Sequence, residues 1–358
     1  MMKNKKMKNI MVLDMDAQAV RILVGNVSKN EISVKKVCSR LLPEDTYQDG
    51  RIMNHSAMEA TIKELIKSNK IKVNQCICCF DSSLIIARDV LVPNNAGANF
   101  QDMAKYEVAQ FLPVEINRYV VQSKRVHEVE IDGKPYIEAL STAIPNEMVE
   151  QFYKMLQDIG LKPVALDIHS NALGKFIEAQ GRINGDTIGS KTVAVIDFGY
   201  ESIFVSIFDQ GQFKLSRTIQ KGIKELDGSI SRSININKED ATSRRTNVQS
   251  MKMNTENEVV DDEMRIVNVM RSTLENWFEE IEKVFRYHTS RNKMSTQIEK
   301  IYIYGEITKI KDMPEYLKGF FNIDTERIDK IKNIDWSATG EPKEVTEYLY
   351  ALGATYRR

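Results

Sequence analysis

The sequence predicts an α/β protein whose central pattern occurs twice. Strand-like and helical runs alternate along the chain. A strand, an acidic turn and a second strand occur within residues 10–38 and again within 193–219, with Asp14 and Asp197 about 183 residues apart. The 358 residues are 42% hydrophobic, enough to bury a sizeable core in two domains or one large lobed one.

In chain order, strand-like runs fall at 9–15, 19–27, 31–38, 76–80, 84–92, 119–126, 136–144, 192–197, 202–208, 213–219 and 300–304. Helical spacing lies between them: Met58, Ile62, Leu65 and Ile66 in 56–68, Met103, Tyr106 and Phe111 in 101–111, and Met148, Phe152, Met155 and Leu156 in 146–159. The third helix meets Gly160, which can cap it, and Pro163, which cannot continue it. From Gly228 to Asp262 the text is polar and nearly free of large apolar residues, which reads as a long surface insertion. Ile266, Met270, Leu274, Trp277, Ile281 and Phe285 then recur at three- and four-residue spacing, the core stripe of an amphipathic helix.

Fifty basic and fifty acidic residues cancel, so no overall field draws the chain to nucleic acid or an anionic membrane. Lys3, Lys5, Lys6 and Lys8 read as a solvated terminus. No apolar run approaches the ~18 residues that span a bilayer, and no signal peptide opens the chain, so a cytosolic protein is expected. Cys76, Cys78 and Cys79 sit inside the apolar run CICCF and read as buried strand residues, with Cys38 alone. His55, His127, His169 and His288 are scattered, and the cysteines lie within an apolar strand run or alone, so these residues predict no metal site.

Two phosphate-binding motifs are excluded. GDTIGSKT (185–192) is one residue short of the GxxxxGK[ST] spacing, and it feeds the strand TVAVID in place of a helix. No GxGxxG follows a strand. The opening stretch MVLDMDAQAVRILVG, with the cation Arg21 in its second apolar run, favours a plain hairpin when taken alone. Its repetition as VAVIDFGYESIFVSIFDQGQFKLSRTI changes that reading. Ser28-Lys29-Asn30 and Asp209-Gln210-Gly211-Gln212 supply the matching next turns. A duplicated fold would set the two acidic loops face to face, across a gap suited to a phosphate chain and its cation.

At this point the chain resembles a known family. The paired hairpins look like the phosphate loops of the actin, Hsp70 and sugar-kinase superfamily, and the chain most resembles its PilM branch. LVP at 91–93, KYEVAQFLPVEINRYVVQSKRV at 105–126, GLKPVALDIHSNALGKF at 160–176, KIYIYGEITKIKDMPEYLKGFFNIDTERID at 300–329 and YLYALGATYRR at 348–358 follow in the same order. The resemblance implies an actin-like two-lobed α/β fold of RNase H-like lobes. Subdomain 1A would comprise 8–92 and 146–185, with 1C inserted at 93–145. Subdomain 2A would comprise 190–226 and 300–358, with 2B at 227–299.

It also implies ATP and Mg²⁺ in the interlobe cleft. The first phosphate loop would be Asp14, Asp16, Ala17 and Gln18, the second Asp197, Gly199, Tyr200 and Ser202, and the adenosine loop Gly305 and Glu306. Asp14 and Asp197 would hold Mg²⁺ through waters, and Asp167 is the candidate for orienting water. Two departures stand out: Asp16 and Ala17 replace the glycine and hydroxyl residue of the first loop, and the adenosine loop is reduced to Gly305-Glu306-Ile307. A carboxylate ~4 Å from a phosphate oxygen costs about 4 kcal/mol at an effective dielectric of ~20. Weak or lost nucleotide binding, with little or no hydrolysis, is the expectation.

By the same resemblance the protein is a cytoplasmic adaptor of type IV pilus assembly, peripheral to the inner membrane. It would bind the N-terminal cytoplasmic segment of a PilN-like membrane protein in a groove between 1A and 1C, and through it the assembly platform with its motor ATPases. Met103, Tyr106, Phe111 and Leu112 are the partner-contact candidates, and a homodimer is compatible. An active ATPase or kinase on the same fold is the alternative. An FtsA-like division protein is the third reading; it would need a C-terminal amphipathic membrane helix, whereas this sequence stops at Arg358 after the last matching segment.

Overall fold

The computed structural model describes residues 9–28, 31–252, 262–291 and 297–356. The lysines at 3, 5, 6 and 8, the turn residues Lys29 and Asn30, and positions 253–261 of the polar segment lie outside the described residues.

The first half of the chain runs β1 (Ile10–Met15), β2 (Ala19–Ser28), β3 (Glu31–Leu41), the short pair β4 (Tyr47–Gln48) and β5 (Arg51–Ile52), α1 (His55–Ser68) and β6 (Gln75–Phe80). Then follow β7 (Ile86–Pro93), α2 (Phe100–Ala109), β8 (Tyr119–Ile131), β9 (Lys134–Pro145), α3 (Asn146–Asp158), β10 (Lys162–Ile168), α4 (His169–Gln180) and the small hairpin β11 (Arg182–Ile183) and β12 (Asp186–Thr187). The second half runs β13 (Thr192–Phe198), β14 (Ile203–Asp209), β15 (Gln212–Ile219), α5 (Ile223–Ile234), α6 (Lys238–Asn247), α7 (Asp262–Arg291), β16 (Lys300–Gly305), α8 (Met313–Phe321), β17 (Asp324–Arg327), β18 (Ile334–Asp335) and α9 (Leu349–Thr355). Every strand-like run of the sequence is a strand here.

Two sheets repeat one topology. In the first the order is β10-β6-β1-β2-β3-β18, and in the second β15-β14-β13-β16-β17. Each is an antiparallel meander (β1-β2-β3; β13-β14-β15) whose first strand also pairs in parallel with a later one (β6; β16). The central strands β1 and β13 are buried at every position, as their near-continuous apolar text requires.

Helices α4 and α9 lie between the sheets. Ala172, Leu173, Phe176 and Ile177 of α4 join Leu349 and Leu352 of α9, Val12 and Ile77 of the first sheet, and Val193 and Val195 of the second in one core. Gly353 makes the crossing feasible, because a Cβ there would overlap the Ala172 carbonyl. The outer face of the first sheet is covered by α1 and α3 through Met58, Ile62, Leu65, Met148, Phe152, Met155 and Leu156, the stripes read from the sequence. Against the second sheet pack α5 and α7, with Ile266, Met270, Leu274, Trp277, Ile281 and Phe285 inward.

Two expectations need correction. Residues 228–247 are no bare insertion: α5 runs to Ile234 with Leu226 and Ile230 buried, and α6 follows. Helix α6 lacks an apolar stripe and is held by Arg245, whose buried guanidinium bonds Asp227 and Glu306. In α2 the inward face is Phe100, Ala104 and Val108, while Tyr106 is 74% and Phe111 52% exposed. The helix begins at Phe100, whose large ring anchors it, and Phe111 falls beyond its end.

Candidate functional site

The C-terminal ends of β1 and β13 bring the two acidic loops together between the lobes. Asp14, Asp16, Gln18, Asp197, Gly199, Tyr200, Gly305 and Glu306 line one cavity there, and Ala17 and Ser202 face an adjoining crevice. All ten nucleotide-site candidates are therefore gathered by the fold. What they do chemically is a separate matter.

In the first loop Asp16 folds back on its own turn. Its Oδ1 accepts from the Gln18 and Ala19 amides at 2.7 and 2.8 Å, and its Oδ2 accepts from Arg21 Nη1 at 2.6 Å. These are amides that such a turn would otherwise offer to a phosphate, so the carboxylate occupies the anion's place. Burial alone would raise the Asp16 pKa, but the Arg21 charge and the hydrogen bonds from Arg21, Ala19 and Gln18 hold it below the ordinary value.

Asp14 is buried, with Oδ1 2.8 Å from His169 Nε2 at the start of α4. Burial pushes His169 toward the neutral form, yet Asp14's charge and hydrogen bond prevail and raise its pKa above 6.5. The His169 ring stacks on Tyr350 of α9, with centroids 4.0 Å apart and planes at 8°. Tyr350 donates its hydroxyl to Asp197 Oδ2 at 2.6 Å. Burial pushes the Asp197 carboxyl up to about 7 against that hydrogen bond. The result is a continuous chain across the lobes: Asp14, His169, Tyr350, Asp197.

The second loop is equally self-contained. Gly199 and Tyr200 carbonyls accept from the Ile223 and Lys224 amides at 3.1 and 2.9 Å, capping the N-terminus of α5 with main chain. Gly305 sits at φ +100°, where a Cβ would come 2.5 Å from the Phe198 carbonyl oxygen, so only glycine fits. Glu306 accepts from Arg245 at 3.0 Å.

Does this cleft suit Mg²⁺ and ATP? Its cavity volume is about 90 Å³, against roughly 300–1,000 Å³ for ordinary ligand pockets. Asp14, Asp16, Asp197, Glu306, Glu344 and Glu347 line it against Arg21 and Lys309, an excess of negative charge facing any polyanion. Asp14 and Asp197 already have protein partners. The residues as arranged do not fit a magnesium nucleotide. Asp14, Cys79 and His169 do place one O, one S and one N within 4.8 Å of one another, a clustering that the scattered sequence positions concealed. That donor set suits a softer cation than Mg²⁺.

Asp167 lies elsewhere. Its carboxylate bonds Lys175, Asn171 at 2.7 Å and the Ile168 amide, and it faces a groove on the other side of β10. This groove has a cavity volume of about 560 Å³. One wall is the face of the three-stranded sheet β7-β9-β8 formed by Val120, Gln122, Lys124, Leu140, Thr142 and Ile144. These side chains match in register, as Val120↔Ile144, Gln122↔Thr142 and Lys124↔Leu140. The other wall is Ile77, Ala165 to Ile168, Asn171 and Lys175, with Val149 and Ala354. Both β8 and β10 are edge strands. Helix α2 packs on the opposite sheet face through Val90, Val92, Ile137 and Ala139, so Met103, Tyr106, Phe111 and Leu112 do not line the groove.

Matched five-stranded cores, two helices between them and a cleft at the paired strand ends define a two-lobed actin-like protein. Solved structures with this fold agree. A PilM-PilN type IV pilus biogenesis complex matches with a TM-score of 0.78 at 18% identity over 97% of both chains. The ethanolamine utilization protein EutJ from Carboxydothermus hydrogenoformans gives 0.55 at 11% identity, over 98% of this chain and 89% of that one. MreB5 of Spiroplasma citri bound to ADP gives 0.55 at 12%, over 97% and 95%. The family model of the type IV pilus assembly protein PilM matches residues 12–358, and the chain belongs to that family.

Arg21, His169 and Tyr350 were not among the site candidates read from the sequence. Arg21 alone left a signal there, as a cation inside an apolar strand.

Proposed function

We propose that this protein is an adaptor of type IV pilus assembly that captures the cytoplasmic N-terminal segment of a PilN-like membrane protein in the groove between the three-stranded sheet and β10. The contrast in volume carries the reading: about 560 Å³ in the groove and about 90 Å³ in the interlobe cleft. An extended peptide suits the groove in two ways. The edge strands β8 and β10 offer main-chain hydrogen bonds, and the apolar side chains Val120, Leu140, Ile144 and Ile77 offer contacts for alternate peptide residues. Capture of this kind holds the protein at the cytoplasmic face of the membrane through its partner; no helix among the described residues is long and apolar enough to cross a membrane.

In this reading nucleotide binding is weak or lost, because Asp16 and Arg21 satisfy each other and the turn amides. Within the expected inserted subdomain 93–145, residues of β8 and β9 supply the groove's outer wall, and β7 (Ile86–Pro93) belongs to the same sheet. The test is made in cells. Thr142→Arg projects a long cation into the groove from the central strand of the small sheet, and piliation should fall to the level of a deletion strain while protein abundance is unchanged. Normal piliation with Thr142→Arg overturns the groove assignment.

A further inference from the structure

Three buried polar groups of the first lobe converge, and the strand register explains why. On the parallel strands β1 and β6, Asp14 stands beside Cys79. Residues paired in this way point to the same face of a sheet; here it is the face of Val12 and Ile77, against which α4 packs. The first residue of α4 is His169. Sheet and helix thus deliver a carboxylate, a thiol and an imidazole, with one ligand atom of each within 4.8 Å of the others. Asp14, Cys79 and His169 are 1%, 0% and 3% exposed. Cys78, the neighbour of Cys79 on β6, faces the opposite way, among Met11, Leu13 and Phe152.

The donor set selects its ion. Mg²⁺ takes oxygen and Cu(I) favours sulfur, whereas Zn²⁺ accepts thiolate, imidazole and carboxylate together. Zinc bonds of about 2.0–2.3 Å set tetrahedral ligand atoms roughly 3.3–3.6 Å apart. Asp14 Oδ1 and His169 Nε2, at 2.8 Å, part slightly to admit the ion, and Cys79 Sγ closes by about an ångström. The His169 ring can follow: apart from Asp14 it is held by its stack on Tyr350, and its buried Nδ1 has no hydrogen-bond partner among the described residues. Charge balances as well. Cys79 enters as a thiolate, its proton leaving to solvent, and thiolate plus carboxylate cancel the divalent charge. The cavity of about 90 Å³ that borders Asp14 gives access, with room for the water that fills a fourth position.

We propose that Asp14, Cys79 and His169 form a zinc site inside the first lobe. The ion joins β1, β6 and α4, with no nucleotide and no residue of the second lobe among its ligands. It therefore differs from the Mg²⁺ arrangement through Asp14 and Asp197 in cation, ligands and place, and it stands independently of the groove.

The experiment uses the full chain, reduced with a phosphine and freed of metal, titrated with Co²⁺ as a spectroscopic probe and then with Zn²⁺. The expected result is one Co²⁺ per chain with a thiolate-to-cobalt absorption band, bleached by Zn²⁺ and untouched by a large excess of Mg²⁺. Cys79→Ser and His169→Gln lose the band, while Cys78→Ser, changed on the other face of β6, keeps it. Zinc raises the Tm of the wild type and leaves that of Cys79→Ser where it was. Absence of the band in the wild type overturns the proposal. So does a band that survives Cys79→Ser, which marks adventitious binding at another thiol such as Cys38. Should the variants not fold, X-ray absorption of the wild-type zinc complex decides: one sulfur beside nitrogen and oxygen agrees, and a shell with no sulfur or with two overturns the site.

Discussion

Asp16 and Arg21 close the first loop on itself: the carboxylate takes the guanidinium at 2.6 Å with one oxygen and two backbone amides with the other. A side chain thereby stands where an external anion would bind. Asp16→Gly should free the Gln18 and Ala19 amides together with Arg21, and raise affinity for ATP by about tenfold or more over wild type. The same change strips a partner from a mostly buried cation and should cost about 2 kcal/mol of stability. Calorimetric titration and urea unfolding read the two effects separately.

Asp197 should make stability fall as pH rises. Its carboxyl has an ordinary pKa of 3.8 when unfolded and about 7 when folded. The folded state therefore holds the proton more tightly, and the stabilisation present below about pH 4 is lost up to about pH 7, at no more than about 1.4 kcal/mol per pH unit. His169, raised above 6.5, acts in the same sense at higher pH: its contribution is present below 6.5 and lost as pH passes its folded value. Asp197→Asn should flatten the difference between pH 4 and 7 in urea midpoints. An identical slope in the variant would remove Asp197 as its source.

Gly353 is the contact point of α4 and α9. Gly353→Ala places a methyl group against the Ala172 carbonyl in the core shared by both sheets, and should cost about 3 kcal/mol or more, seen as a sharp drop in Tm.

Arg245 is the buried anchor of α6. Arg245→Ala leaves Asp227 buried without its cation, and should destabilise the second lobe by about 3–5 kcal/mol in chemical unfolding. The apolar stripe of α7 packs mainly by area, and Trp277→Ala there should cost about as much, through a cavity.

The two kinds of anchor explain what the text of the sequence revealed. Strands β1 and β13 and the stripes of α1, α3 and α7 were legible because burial imposes a local period. The paired loops at Asp14 and Asp197 were legible because the pattern repeats. Helix α6 was hidden, since ion pairs from Arg245 to Asp227 and Glu306 hold it and ion pairs leave no period. His169 and Tyr350 were hidden for a related reason: their partners Asp14 and Asp197 lie 155 and 153 residues away. A groove was expected from the resemblance, but its lining residues were hidden because it is a space between two sheets, formed by Val120, Thr142 and Asp167 from segments that say nothing of one another in sequence. The inward face of α2 was misread through Tyr106 and Phe111, which are exposed, because three- and four-residue spacing of apolar residues does not say which of them face the sheet.

The central claim is that the groove captures the partner while the cleft is closed to nucleotide. Calorimetric titration of the partner's N-terminal peptide into the wild-type protein and into Thr142→Arg, with and without magnesium ATP, tests it most directly. Saturable peptide binding by the wild type, abolished in Thr142→Arg and indifferent to ATP, is the predicted result. Peptide binding that survives Thr142→Arg, or that requires ATP, would contradict it.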